Sequence, residues 1–273
     1  MKADAELGPF TRLIEALEPW LEEVVIIGGW AHRLYRLDAR AQKLGYPPLT
    51  TLDSDVAVPG KIDAKEENLR HRLLAAGFQE EFMGEDRPPA THYHLGGPGG
   101  FYAEFLTPLV GSEHDRKGER KATREVGGVS SQLLRYIDIL LLAPWNAHLD
   151  KASGYSFESA KHVRIANPVS FLTQKLLIQK ERDRRDRAKD TLYIHDTIEV
   201  FAGSLAELRE LFAKEIRPKL GVKKTDEVRK AAETLFGGMN DLIREAVRMA
   251  VGRKLKAQSV METCRAGLKA IFE

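Results

Sequence analysis

The chain of 273 residues has one cysteine, Cys264. A lone thiol excludes an internal disulfide and cannot build a thiolate metal cluster, and such scarcity suits a reducing compartment. Long hydrophobic runs are also missing. No stretch approaches the roughly 20 apolar residues that span a bilayer, and the opening M-K-A-D-A-E-L-G-P-F has no apolar signal core. The expectation is a cytoplasmic chain with no membrane partner. Nor does either charge dominate: 42 Lys and Arg stand against 40 Asp and Glu, a net +2. That balance gives no global pull toward nucleic acid, so any attraction must be local. Internal repeats and low-complexity segments are absent. What remains is an ordinary soluble composition, 43% apolar and 30% charged, long enough to bury one large core or two modest ones.

Against that background V-V-I-I-G-G-W-A (residues 24–31) and T-L-D-S-D-V-A-V (51–58) stand out. An apolar strand runs into a glycine pair and a helix, and a second strand carries two aspartates one residue apart. Strand side chains alternate faces, so Asp53 and Asp55 project together while Leu52, Val56 and Val58 go the other way. Paired carboxylates repel unless something positive sits between them. The economical explanation is a divalent cation with oxygen ligands, Mg²⁺ or Mn²⁺. T-H-Y-H-L, G-G-P-G-G and F-Y-A-E-F-L-T-P-L (91–109) follow as a hairpin with a glycine-rich turn. Its Glu104 lies mid-strand among apolar neighbours, where a lone charge is expensive. A strand added beside the aspartates would bring Glu104 to the same cation, and three carboxylates on adjacent strands can hold two metal ions. His92 and His94 make an H-x-H pair on one strand face, but without a third nitrogen or sulfur ligand nearby they read as surface or cleft-lining residues rather than a zinc site.

Periodicity places helices over 10–22, 30–40 and 63–76; 128–145 could be a short strand followed by a helix, and periodicity does not settle it. K-H-V-R-I-A-N-P (161–168) reads as a strand entering a helix, with Asn167 as N-cap and Pro168 in the first helical position. Beyond it the pattern is helical throughout: 169–188, 191–201, 205–215, 225–250 and 258–272. The composition shifts near 145–165, which divides the chain into residues 1–150 and an all-helical 151–273. The fold class expected is α+β, a mixed sheet with helices followed by an all-helical C-terminal domain, with a ligand cleft between the halves. Lys175 shares an apolar stripe with Phe171, Leu172 and Ile178, where a lysine either snorkels to water or points at an anion. Alternating Arg and Asp over 182–187 read as a solvated, self-paired face.

The order G-G, D-x-D and a later lone acid resembles the nucleotidyltransferase superfamily of DNA polymerase β, and most closely its bacterial AbiEii-like group, which includes toxins of toxin–antitoxin pairs. The resemblance implies that Gly28 and Gly29 contact nucleotide phosphates and that Asp53, Asp55 and Glu104 are the catalytic, metal-binding acids. N-P-V-S-F-L-T-Q-K (167–175) resembles the motif whose lysine approaches the triphosphate, which falls on Lys175. E-R-D-R-R-D-R-A-K-D (181–190) resembles an R…K-D signature matched by Lys189 and Asp190; its usual second aspartate is Tyr193 here, with Asp196 as a stand-in. Twenty-four positions separate Gly29 from Asp53, longer than in minimal members, because 36–49 intervenes. The implied activity is Mg²⁺- or Mn²⁺-dependent transfer of a nucleoside monophosphate from an NTP to a hydroxyl, releasing pyrophosphate. RNA such as tRNA, a protein side chain and a small molecule are all open as acceptors, and an antitoxin protein is an implied partner. A sugar-nucleotide glycosyltransferase also uses D-x-D, yet normally places a whole nucleotide-binding half before it. A nucleotide- or partner-binding module without turnover is a further alternative.

Overall fold

The computed structural model describes residues 6–84, 89–97, 99–114, 118 and 121–273. The chain divides into two units, Met1–Leu34 with Thr50–Ala166, and Tyr35–Leu49 with Asn167–Glu273. The architecture is α+β: a mixed sheet with helices, followed by a helical C-terminal region.

In the first unit, the described strands are β1 (Val25–Ile26), β2 (Asp53–Ala57), β3 (Gln79–Met83), β4 (Ala90–Leu95), β5 (Phe101–Pro108), β6 (Thr123–Val126), β7 (Val129–Leu134), β8 (Trp145–Leu149) and β9 (Lys161–Ile165). They lie in the order β3-β4-β5-β2-β1-β9-β8, with β7 joining β5 and β6 joining β7. The hairpin of β4 and β5 is antiparallel, and β2 runs parallel to β5. Helix α1 (Leu7–Ala16) brings Phe10 flat against Trp30 of α2 (Gly28–Leu34), with ring centroids 3.7 Å apart, and Phe101 meets Trp30 edge-on. These rings, with Ala103, Phe105 and Tyr93, are buried. They account for the alternating burial of β5: one face closes on the core and the other carries polar groups.

Two helices are shorter than periodicity alone indicates. Helix α3 (Leu69–Ala75) starts at the cap Asn68, whose side chain accepts from His71 N at 2.8 Å. The preceding backbone is committed elsewhere: Asp63 N donates to Glu23, and Asp63 O accepts from Trp20 Nε1. Helix α2 gives way to a 3₁₀ turn over Tyr35–Leu37, and Asp38 then takes the Arg40 backbone N–H at 2.9 Å. Such a local side-chain acceptor competes with helix propagation.

A short helix α4 (Ile137–Leu140) follows β7 in the first unit, and the second unit contains α5 (Pro168–Leu177), α6 (Arg184–Val200), α7 (Leu205–Leu211), α8 (Arg217–Phe236), α9 (Asp241–Met249) and α10 (Ala257–Phe272). Asn167 caps α5 as its sequence indicates, accepting from Ser170 N at 2.8 Å. The single helix expected over 169–188 is instead broken before α6, where Asp183 serves as a new cap for Asp186 N. Helices α6 and α10 approach so closely that a Cβ on Gly267 would lie 2.3 Å from Ile198 Cγ2, which leaves glycine as the residue that fits. The 35–49 segment belongs here as well: Gln42 N donates to Val200 O, and Leu49 packs on Ala188, Leu192, Ala246 and Ala250. Among the described residues no helix is long and apolar enough to cross a membrane.

Candidate functional site

The register of three strands builds the acidic face. Asp53 lies opposite Tyr102 and Asp55 opposite Glu104 across the β2/β5 pair. On the far edge of β5, His94 lies opposite Tyr102 and His92 opposite Glu104. Two rows result, His94–Tyr102–Asp53 and His92–Glu104–Asp55, each partly open. The alternate residues Ser54, Val56, Ala103 and Phe105 point into the core. Strand alternation thus puts the three acids on one face, as the spacing of D-x-D and the mid-strand glutamate require.

Each row has supporting contacts. Thr51 donates its hydroxyl to Asp53 Oδ1. Gln132 Nε2 donates to Glu104 Oε2 at 3.2 Å, and His92 Nε2 lies 3.4 Å from the same oxygen. The His92 ring stacks on Tyr102, with centroids 4.9 Å apart and planes 14° from parallel, while His94 reaches Glu81 at 2.6 Å. Burial raises the ionisation of the Tyr102 hydroxyl above its usual range, and the charges of Asp53, Glu104 and Asp55 raise it further. All three carboxylates therefore project their fields onto one phenol.

The glycine turn closes on this face. Ile27 N donates to Asp55 O at 2.9 Å. Gly28 has φ +61°, and a Cβ built on it would stand 1.9 Å from Asp55 Oδ2. Both the left-handed backbone and the close approach call for glycine. Gly29 is buried in the first turn of α2. The pair thus has a steric role beside Asp55 whatever else it contacts.

Oxygen-only donors on neighbouring strands suit a hard divalent cation. The side chains do not yet form a cage, however: among the described residues no three His, Cys, Asp or Glu side chains are grouped to hold a metal ion. The fit lies in donor chemistry and shared face.

In the second unit the remaining candidates form their own cluster. Lys175 is buried and meets Asp190 Oδ1 at 2.6 Å, with its Nζ 5.5 Å from the Phe171 ring centre and 5.4 Å from that of Tyr193. The anion that this apolar stripe offers its lysine is therefore an aspartate of the same unit. Lys189 Nζ lies 5.7 Å from the centre of the same Tyr193 ring. Asp196 is fully buried and accepts from Arg253 at 2.7 Å and from Tyr46 at 3.2 Å, with His195 Nδ1 3.1 Å away. From α6 it is thus tied to Tyr46 in the 35–49 segment and to Arg253, between α9 and α10. Arg182 pairs with Asp186 at 3.0 Å and Arg184 reaches Glu245, consistent with a solvated, self-paired face.

A family model described as nucleotidyltransferase matches residues 5–216, most of the chain. The chain belongs to this nucleotidyltransferase family. Membership implies nucleotidyl transfer with an NTP as substrate. The chain is also similar to the solved structure of an antigenic nucleotidyltransferase-like protein from Paracoccidioides brasiliensis, at 18% identity and a TM-score of 0.43, over 89% of this chain and 92% of that one. None of the curated proteins matches it.

For a nucleotidyltransferase, the informative additions to the motif residues are Thr51, Tyr102, His92 and Gln132. H-x-H singled out His92 as a surface or cleft-lining residue, and the β4/β5 register sets it opposite Glu104. Gln132 had no such signal, because S-S-Q-L-L could be read as strand or helix, and pairing of β7 with β5 is a long-range event.

Proposed function

We propose that the protein transfers a nucleoside monophosphate from an NTP to a hydroxyl acceptor in a reaction dependent on Mg²⁺ or Mn²⁺. The observation that carries this reading is the β2/β5 register, with Asp55 opposite Glu104, Asp53 on the same face and the Gly28 turn pressed against Asp55. Asp53, Asp55 and Glu104 would hold the cation, which when bound supplies positive charge for the phosphates and for the developing alkoxide. The acceptor oxygen attacks the α-phosphorus. The bond from that phosphorus to the bridging oxygen breaks, and its electron pair leaves with pyrophosphate. Glu104 would take the hydroxyl proton, and Asp53 and Asp55 would hold the cation whose positive charge gathers the phosphates. Backbone N–H groups of Gly28 and Gly29 are assigned to the β- and γ-phosphates by the family resemblance, as are Lys175, Lys189 and Asp190 to the nucleotide.

RNA, tRNA included, is the first acceptor to test, and the AbiEii-like resemblance extends the proposal to a toxin-like role opposed by an antitoxin protein. Purified protein is incubated with each NTP labelled at the α-phosphate, Mg²⁺ and total RNA, and pyrophosphate release and label transfer are followed. Transfer that vanishes in Asp55→Asn supports the reading. Nucleotide binding without release of pyrophosphate, under every acceptor tried, would leave a binding module instead. Growth arrest on expression, absent with Asp53→Asn, tests the toxin-like part.

A further inference from the structure

We propose that Gln132 and His92 are positioning residues for Glu104, an inference that rests on the cation-binding reading of the same face. The geometry is that of one carboxylate oxygen with two nitrogen neighbours. Gln132 Nε2 lies 3.2 Å and His92 Nε2 3.4 Å from Glu104 Oε2. They come from different strands. His92 is the direct cross-strand partner of Glu104 on β4, and Gln132 of β7 pairs with Leu106, two residues further along β5 and so on the same face. Strand β2 occupies one edge of β5 over 102–106, which places β4 and β7 along the other. Gln132 therefore donates to Glu104, and His92 flanks it, from the edge away from Asp55.

The choice of donors matters chemically. Arginine or lysine at these positions would cancel the carboxylate charge and compete with a divalent cation. An amide side chain orients the group and leaves its charge available, and an imidazole beside it narrows the space in which it can turn. His92 is itself held: its ring stacks on Tyr102 at 4.9 Å, so the direction of its nitrogen is fixed by packing as well as by the carboxylate. The side chains of His92 and Glu104 are only 17% and 20% exposed, so water competes weakly for these contacts. Fixing the rotamer of Glu104 before the cation arrives lowers the ordering cost of closing the three carboxylates around it.

The test is Mn²⁺ binding by titration calorimetry on the full chain, without nucleotide. Gln132→Met keeps the volume and loses the donor; His92→Phe keeps the stacking ring and loses the donor. Outer contacts of metal ligands are typically worth about 10–100-fold in affinity, and the double variant is expected to bind Mn²⁺ more weakly by about that factor with an unchanged melting temperature. His92→Gln, which restores a donor, should recover part of the loss. If the double variant binds as tightly as the parent while Glu104→Gln binds poorly, the positioning role is wrong and the cation site stands. If the parent itself binds no Mn²⁺, the cation reading falls and the positioning role with it. Should His92→Phe fail to fold, Gln132→Met alone decides, through the same affinity ratio.

Discussion

In the second unit Lys175 meets Asp190 at 2.6 Å and Arg253 meets Asp196 at 2.7 Å, each cation matched to a carboxylate among buried helices. In the first unit Asp53, Asp55 and Glu104 share one half-open sheet face, where their partners include a hydroxyl, an amide and an imidazole. A closed buried pair offsets its own desolvation only when both members stay, and it serves mainly to specify which helices pack together. Carboxylates set side by side work against stability until a positive ligand joins them. The same residue types are thus in structural use in one unit and, in the proposed function, available to an external cation in the other. That contrast makes opposite demands on mutants.

The largest effect is expected at the sheet. Asp55→Asn should slow transfer on the order of a thousandfold, since the charge stabilisation supplied through a bound metal is worth several kcal/mol. Its folding free energy should hold or rise slightly, because one of two like charges is gone. Denaturant unfolding measured beside the transfer assay checks both. A large loss of stability would place Asp55 with the structural acids and erase the contrast.

Lys175→Ala should behave in the opposite sense. Removing one partner of a buried pair leaves an uncompensated carboxylate, a cost of about 3–5 kcal/mol. The double change Lys175→Met with Asp190→Leu should restore most of the stability, because no buried charge is then left alone. That double variant also separates packing from nucleotide contact. If its half-saturating NTP concentration rises while its fold is sound, Lys175 or Asp190 contributes to binding in addition to its internal pair.

Gly28→Ala is expected to cost less. Forcing a side chain into the left-handed region costs about 1–2 kcal/mol, and the new Cβ must displace the Asp55 carboxylate, which would stand 1.9 Å away. Cation affinity should therefore fall together with stability, whereas a plain turn would lose stability alone. Calorimetry with Mn²⁺ on the folded variant distinguishes the two outcomes.

Much of the face was legible beforehand because it follows from local rules. The glycine turn, the period-2 alternation of Asp53 and Asp55 and the hairpin that carries Glu104 are all written in short segments. Asn167 and Pro168 announced the start of α5 for the same reason. The helix ends were less legible, since Asp38, Asn68 and Asp183 stop or start helices through side-chain hydrogen bonds that periodicity does not weigh. Least legible were the partners set by long-range pairing. Asp190 as the anion for Lys175, Arg253 and Tyr46 on Asp196, and Gln132 on Glu104 depend on which elements pack together, and no spacing in the sequence encodes them. Asp196, read as a stand-in for the motif's second aspartate, shows the same limit: its partners Arg253 and Tyr46 come from distant segments.

The smallest effect serves as the control for the contrast. Glu80 on β3 belongs to the same sheet unit but is paired, with Arg70 at 2.5 Å and Tyr93 at 3.1 Å. The Arg70 hydrogen bond, with help from Tyr93 and from the guanidinium charge, holds its carboxyl below the ordinary 4.5 even though burial opposes this. A carboxylate depressed in the folded state stabilises the protein above the unfolded value and loses that contribution as pH falls through the folded one. Arg70→Met should therefore lower the melting temperature slightly at neutral pH, less than an internal pair would, because the guanidinium is open to solvent and to salt. The difference should shrink as the pH drops below 4.5, and transfer activity should be untouched at every pH. An activity loss in this variant matching that of Asp55→Asn would mean that any disturbance of the sheet disables the site, and the special standing of Asp53, Asp55 and Glu104 would go with it.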